Sequence, residues 1–213
     1  MNVMLLMHLH KKKKIWATFN GDFLRMMDKI FVTNGCSNHS NVERQKEDYY
    51  ATDPKCVNEL LEVEYFQHNI LEPCCGEGHI SKELIKHGYN VVSSDLIDRG
   101  YGDVKDLLSY EHWGGDIITN PPYKNSATYV KHCLDVVDDG AKVAMFLKIT
   151  FLESKERLKF FKEYPPKYVY IYSSRRLCAM NGDFEKSKVK AICFCWFIWM
   201  KGYKGEPTIR WIE

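Results

Sequence analysis

Short, unbroken apolar runs alternate with amphipathic segments from about residue 55 onward. The runs predict strands over 68–72, 90–95, 115–119, 141–148, 167–172 and 191–200, and the amphipathic stretches predict helices near 55–63, 79–87, 125–138 and 153–162. Strand alternating with helix implies an open, mostly parallel sheet with helices on both faces. Ala191 to Met200 is apolar without alternation, as a strand buried on both sides requires. Between Asp95 and Asp116 there is room only for a shortened crossover helix. No internal repeat or low-complexity segment interrupts the pattern.

The first residues do not share this rhythm. Met1 to His10 is apolar and precedes Lys11-Lys12-Lys13-Lys14, the reverse of the order in a secretion signal, and the run is too short to cross a bilayer. Residues 33–47 are polar and loop-like. The chain is therefore expected to divide into an N-terminal extension, 1–47, poorly structured up to about residue 26, and one domain over 48–213.

Composition narrows the class. A chain of 213 residues suits one domain with a substantial core, and 45% hydrophobic with 27% charged residues is ordinary for a soluble globular protein. A net charge of +2 means that any affinity for nucleic acid must come from a local patch. The eight cysteines are scattered without a CxxC and read as reduced core residues of a cytoplasmic protein. Neither they nor the histidines, His79 and His132 included, have ligand spacing, so no metal site is expected.

Two segments carry chemistry. The first is Asn120-Pro121-Pro122-Tyr123, placed at the end of the apolar run Asp116-Ile117-Ile118-Thr119. Each proline fixes its own φ and lacks an N–H, and each forces the residue before it into extended geometry. The product is a stiff shelf bearing an amide, bare carbonyls and an aromatic ring. Such a shelf suits a planar amino group: the Asn120 oxygen and the Pro121 carbonyl accept its two hydrogens, and Tyr123 stacks on its ring. The alternative is a simple strand-ending turn.

The second segment is His68 to Ile80, a short strand, a glycine-rich turn and the start of a helix. Gly76 and Gly78 let backbone approach a ligand closely, and the Glu72 carboxylate at the strand tip can receive an ammonium. Ser81 stands where a dinucleotide fingerprint has its third glycine, and no GK[ST] follows, so the phosphate-cradling readings fit less well. Asp95 ends the next strand 23 residues after Glu72, about the spacing of a ribose-binding acid. An adenosine with an amino-acid tail and no phosphate, S-adenosylmethionine, matches these features.

In the order of these segments the chain resembles Rossmann-like S-adenosylmethionine-dependent methyltransferases acting on exocyclic amino groups, above all adenine-N6 DNA methyltransferases. Ile70 to Gly78, with Glu72, Cys74, Gly76 and Gly78, resembles their cofactor-binding first motif. Asp95 matches their ribose-binding acid, and Asp106 resembles the acid that contacts the cofactor's adenine amino group. Asn120 to Tyr123 resembles their catalytic motif. Asp48 to Pro54, with Tyr50 and Thr52, resembles the segment whose hydroxyl touches the methionine carboxylate. The ending Phe197 to Ile212 is similar to small methyltransferases of phage and mobile elements.

The resemblance implies an α/β, class I methyltransferase fold, with a mostly parallel sheet of seven-stranded type and an antiparallel last strand. It also implies a single catalytic domain and transfer to a nucleobase amino group, with adenine N6 in DNA first. RNA, guanine N2 or a glutamine amide are alternatives, as is a non-catalytic nucleic-acid-binding or cofactor-sensing member of the fold. Only 90 residues follow Tyr123, and the sheet needs most of them, so no separate target-recognition domain is expected. The segment 173–190 reads either as a substrate loop, with Phe184 or Leu177 for a flipped base, or as a solvated charged hairpin. Arg175, Arg176 and Lys124, beside the expected active edge, are the candidates for nucleic-acid phosphates.

Overall fold

The computed structural model describes residues 50–174, 176, 178–180 and 192–213. The expectations for the extension 1–47, and for Arg175, Leu177 and Phe184, lie outside the described residues.

A short strand β1 (Tyr50–Thr52) leads through Asp53 into helix α1 (Pro54–Val63). The Asp53 side chain accepts from the Lys55 N–H and Pro54 opens the helix, where a missing N–H costs nothing. Strand β2 (Asn69–Glu72), helix α2 (His79–Lys86), β3 (Asn90–Asp95) and the two-residue β4 (Asp103–Val104) follow. Then come β5 (Asp116–Thr119), α3 (Ser126–Val136), β6 (Lys142–Lys148), α4 (Lys155–Glu163) and β7 (Tyr168–Tyr172). The described chain closes with β8 (Cys178–Met180), β9 (Phe194–Met200) and β10 (Thr208–Ile212).

Eight strands form one sheet in the order β10-β7-β9-β6-β5-β2-β3-β4. All pairs are parallel except those of β9, which runs antiparallel between β6 and β7. The antiparallel strand is thus next to last in sequence. An eighth strand, β10, extends the expected seven on the outer side of β7. Its sequence, Thr-Ile-Arg-Trp-Ile, alternates weakly and is mostly exposed, so it lacks the apolar run by which the other strands announce themselves. The shortened crossover between Asp95 and Asp116 holds β4 and one 3₁₀ turn, Leu107–Ser109.

Strand β9 binds the two halves of the core together. Cys195, Phe197 and Trp199 enter the cluster beneath α3, with Leu71, Ile117, Val130 and Val143. Phe194, Trp196 and Ile198 enter the cluster on the opposite face, with Cys56 and Leu60 of α1 and Ile80 and Leu84 of α2. A strand whose successive side chains serve two cores must be apolar throughout, which is why this run shows no alternation. Each fully buried chain of this size contributes about 1.5–3 kcal/mol relative to exposure.

Trp196 has the most demanding place. It is fully buried, its ring lies 4.8 Å from that of Phe146, and its indole N–H donates to the Cys56 carbonyl at 3.1 Å and the Tyr172 hydroxyl at 2.9 Å. Trp196→Phe should cost about 1–3 kcal/mol, because it leaves buried acceptors without their donor. Trp196→Ala should cost about 3–5 kcal/mol by adding a cavity. Urea unfolding of the two variants checks that order.

Candidate active site

Because β2, β3, β5 and β6 are parallel, their carboxyl ends lie along one edge of the sheet. Connections from β2 lead one way to β3, and those beyond β5 lead the other way, so the crevice between β2 and β5 is a topological switch point. Glu72 ends β2, Asp95 ends β3, Asn120 follows β5 and Lys148 ends β6.

The glycine turn is tied to its neighbours by the two acids. Asp95 takes one backbone N–H on each oxygen, from Gly76 at 2.9 Å and from Ile97 at 3.0 Å. A carboxylate has about four acceptor sites, so capacity for further donors remains. Glu72 is almost fully buried, and its Oε2 accepts from the Ser81 backbone N–H at 2.7 Å and from the Ser81 hydroxyl. Ser81 in turn shares a hydrogen with Ser93, 2.6 Å away on β3. Burial pushes the Glu72 carboxyl up to about 8, and the bonds from Ser81 offset only part of that. Gly76 and Gly78 both have positive φ. At Gly78 a Cβ would stand 2.4 Å from the ring of Tyr101, which closes over the turn. Both reasons demand glycine there.

On the other side of the crevice the Asn-Pro-Pro-Tyr shelf is fixed by a two-stranded sheet that β1 and β8 form across it, antiparallel, with Thr52 opposite Cys178. The Asn120 Nδ2 donates to the Tyr50 carbonyl at 2.9 Å and the Thr52 hydroxyl at 3.0 Å, with the Cys178 sulfur at 3.9 Å. Each hydrogen bond of this side chain among the described residues leaves through Nδ2. The amide is therefore locked with Oδ1 as its available end. Tyr123 is half-buried and opens a 3₁₀ turn; Ser126 donates to its carbonyl at 2.6 Å. Its ring stands 5.7 Å from Tyr50 and 5.9 Å from Phe194, its hydroxyl donates to the Cys178 sulfur at 3.8 Å, and the Lys148 ammonium lies 4.6 Å from its ring centre. Burial raises the Tyr123 phenol and pushes the Cys178 thiol up to about 12, so both remain protonated at neutral pH.

Other sequence-predicted residues have different surroundings. Cys74 packs against the core beneath α3, and burial raises its thiol further above neutrality. Asp106 is exposed and caps the 3₁₀ turn that follows it, accepting from the Leu108 N–H at 2.9 Å. Pro121 is buried, while Pro122 and Lys124 are exposed on the rim of the shelf. Arg176 is paired within the protein. Its Nε and Nη2 grip the two oxygens of Glu59 on α1 at 2.8 and 2.7 Å, and its guanidinium lies over Tyr172. The pair is bidentate and largely buried, with side-chain exposures of 11% and 8%.

Three residues at the site escaped the sequence reading. Phe194 was hidden in an apolar run that reads as core. Lys148 is a cation at the end of a buried strand, a signal that its position next to the catalytic-type motif makes meaningful. Leu96, directly after Asp95, is an exposed apolar side chain at the mouth of the crevice. Among the described residues no group of three or more His, Cys, Asp or Glu could hold a metal ion, and no helix is long and apolar enough to cross a membrane.

No protein-family model and no curated protein sequence matches the chain. Among solved structures it is similar to the modification subunit assigned to a type I restriction enzyme of Vibrio vulnificus YJ016, with 10% identity over 89% of this chain and 50% of that one and a TM-score of 0.53. It is also similar to a protein of Listeria monocytogenes assigned as a class I S-adenosylmethionine-dependent methyltransferase, with 12% identity over 80% of this chain and 68% of that one and a TM-score of 0.51. The M protein of the type I restriction enzyme EcoKI gives 11% identity over 73% of this chain and 44% of that one, also with a TM-score of 0.51. The chain spans half or less of the length of the two restriction-enzyme subunits. These likenesses establish the fold: a Rossmann-like sheet of the class I methyltransferase type.

The raised Glu72 carboxyl makes stability depend on pH. The folded state keeps this proton where the unfolded chain, at the ordinary value of 4.5, has released it. Its contribution is therefore fully present below about 4.5 and is lost as pH rises through about 8. Within that window the slope amounts to at most about 1.4 kcal/mol per pH unit. Glu72→Gln should flatten it, and the difference between wild-type and variant urea profiles over that pH range isolates this one group from Asp116, whose carboxyl burial also raises.

Proposed function

We propose that this protein is an S-adenosylmethionine-dependent methyltransferase acting on an exocyclic amino group of a nucleobase, with adenine N6 in DNA as its target. The observation that carries the reading is the locked amide of Asn120. With Nδ2 committed to β1, Oδ1 is an acceptor held in fixed relation to the Pro121 backbone and the Tyr123 ring.

Bound S-adenosylmethionine would supply an activated sulfonium methyl group. Asp95, with unused acceptor capacity, suits the ribose hydroxyls. The exposed Leu96 offers an apolar surface to the adenine, and Glu72, once ionised, suits the methionine ammonium. Tyr50 and Thr52, on the strand that holds Asn120, are the candidates for the methionine carboxylate. The chain thus offers acceptors to the ribose hydroxyls and to the ammonium of that molecule.

The amino nitrogen of adenine is a poor nucleophile, because its lone pair is delocalised into the ring. Asn120 Oδ1 and the Pro121 carbonyl, accepting its two hydrogens, draw the lone pair out of conjugation and stabilise the positive charge that grows on nitrogen. The half-buried rings of Tyr50 and Tyr123 supply faces for stacking. A base inside a duplex must leave the stack first, at a cost of a few kcal/mol. The methylated nitrogen is left cationic and then releases one of its hydrogens as a proton to water; no side chain has to remove it before transfer, and the protonated Tyr123 and Cys178 are consistent with a site that works by alignment. The neighbouring restriction-enzyme subunits support DNA as the substrate.

Asn120→Ala should abolish transfer while weakening cofactor binding at most about tenfold, through its lost bonds to β1. Asp95→Ala should weaken cofactor binding roughly ten- to a hundredfold by leaving ligand donors unpaired. Calorimetry measures both affinities. Mass spectrometry of nucleosides from cells expressing wild type or Asn120→Ala tests the target: Asn120-dependent N6-methyladenine in DNA is the expected result. Methyl groups confined to RNA or protein would remove the DNA assignment, and absence of cofactor binding by the wild type would remove the whole reading.

A further inference from the structure

We propose that strand β10 is a self-association surface, through which two copies of this chain join their sheets edge to edge about a two-fold axis at Arg210. The inference is independent of the methyl-transfer reading, because β7, β9 and β6 separate β10 from β5 and the crevice.

The backbone defines the edge. Among the described residues β10 pairs with β7 alone. In that parallel ladder the Thr208 N–H donates to the Lys167 carbonyl at 3.1 Å, and the Ile212 carbonyl accepts from the Ser173 N–H at 2.9 Å. Backbone groups alternate along a strand, so Thr208, Arg210 and Ile212 turn theirs toward β7, while Ile209 and Trp211 turn theirs outward. The same two residues carry exposed apolar side chains, Ile209 at 48% and Trp211 at 68%. A row of open N–H and C=O groups is a template for another strand, and proteins ordinarily guard it with an outward charge, a proline or a bulge. The register of β10 on β7 is continuous, and Pro207 lies just outside the strand. The one charge within it is drawn inward: the Arg210 guanidinium lies 4.0 Å from the Tyr168 ring centre and donates to the Tyr170 hydroxyl at 3.4 Å.

A second copy is the occupant that these groups fit. Only one antiparallel register keeps the two exposed faces together and pairs all five residues. It sets Thr208 opposite the second copy's Ile212, Ile209 opposite its Trp211, and Arg210 on the axis. Ile209 and Trp211 both point their N–H and C=O outward, so they exchange both backbone bonds, once on each side of the axis. Their side chains then form two aromatic–aliphatic cross-strand pairs, a favourable combination. Arg210 meets its own copy across the axis, a repulsion reduced by its lean toward Tyr168 and by salt. The contact is isologous and closes at two copies. A pair of five-residue strands lies at the small end of specific interfaces, so association at the micromolar end or weaker is expected. Because the strands run antiparallel across the axis, the carboxyl edges of the two sheets point in opposite directions. Neither copy therefore reaches the other's crevice.

The test is sedimentation velocity of the full chain from roughly 1 µM to roughly 300 µM, which spans association of that strength. The wild type should pass from monomer toward dimer, and no further, as concentration rises. Trp211→Lys and Ile209→Lys should each weaken the dimer more than about tenfold by putting a charge on the edge. Both should keep the melting temperature of the dilute wild type, because the two positions are exposed. Tyr65→Lys, at an exposed aromatic outside β10, should dimerise like the wild type. Hydrogen exchange over 208–212 in the wild type should slow as concentration rises, a readout that needs no variant to fold. A wild type that stays monomeric throughout overturns the proposal. So does a dimer that survives both lysine substitutions, exchange over 208–212 that ignores concentration while the dimer forms, or growth beyond two copies.

Discussion

The side-chain nitrogen of Asn120 donates to two acceptors on one short strand, the Tyr50 carbonyl and the Thr52 hydroxyl, and the polarity of the whole site follows from that pair of bonds. An amide is nearly symmetric in shape, so packing alone does not decide which end faces a ligand. Here the acceptors on β1 decide it. Rotating the amide would set its oxygen against the Tyr50 carbonyl and leave buried acceptors unsatisfied, at a cost of about 1–3 kcal/mol. Position and orientation of the acceptor are thus settled before a substrate arrives, which is what preorganised electrostatics requires.

That constraint depends on contacts between distant parts of the chain. Strand β1 is held by β8, and it continues through Asp53 and Pro54 into α1. Helix α1 is seated by Cys56, Val57 and Leu60 in the core and carries Glu59, the partner of Arg176. One continuous arm therefore orients Asn120 with its first residues and grips the segment after β7 with its helix. Breaking a buried, bidentate pair such as Glu59–Arg176 leaves an uncompensated charge, so its contribution is to fix where this segment runs rather than to add net stability.

What the sequence revealed, and what it concealed, follows the range of the interactions involved. The strand–helix alternation, the glycine turn and the Pro-Pro shelf are local: each arises from residues adjacent in the chain whose backbone preferences are strong. Strand β9 was legible because a strand serving two cores has no freedom to be polar. Pairing of β1 with β8 joins Thr52 to Cys178, and neither segment is long enough to show a period. The edge strand β10 escaped because exposure lets it be polar. The pairing of Arg176 with Glu59 was not legible, because only the fold brings α1 within reach of the segment after β7. Phe194 was taken as core, which it is, since its ring stacks on Phe146 at 5.4 Å as well as facing Tyr123.

The same residues show why the site is polar where it must be and neutral elsewhere. Tyr123 and Cys178 are buried enough to stay protonated, so they place a ring and a soft sulfur beside Asn120 without adding charge. Glu72 is buried more deeply still and is uncharged in the absence of a cationic partner at neutral pH. A ligand ammonium arriving at Glu72 would favour its ionisation, so the proton leaves as the cation binds and the crevice gains no net charge. A carboxyl that stays neutral until a cation arrives avoids the cost of an isolated buried carboxylate.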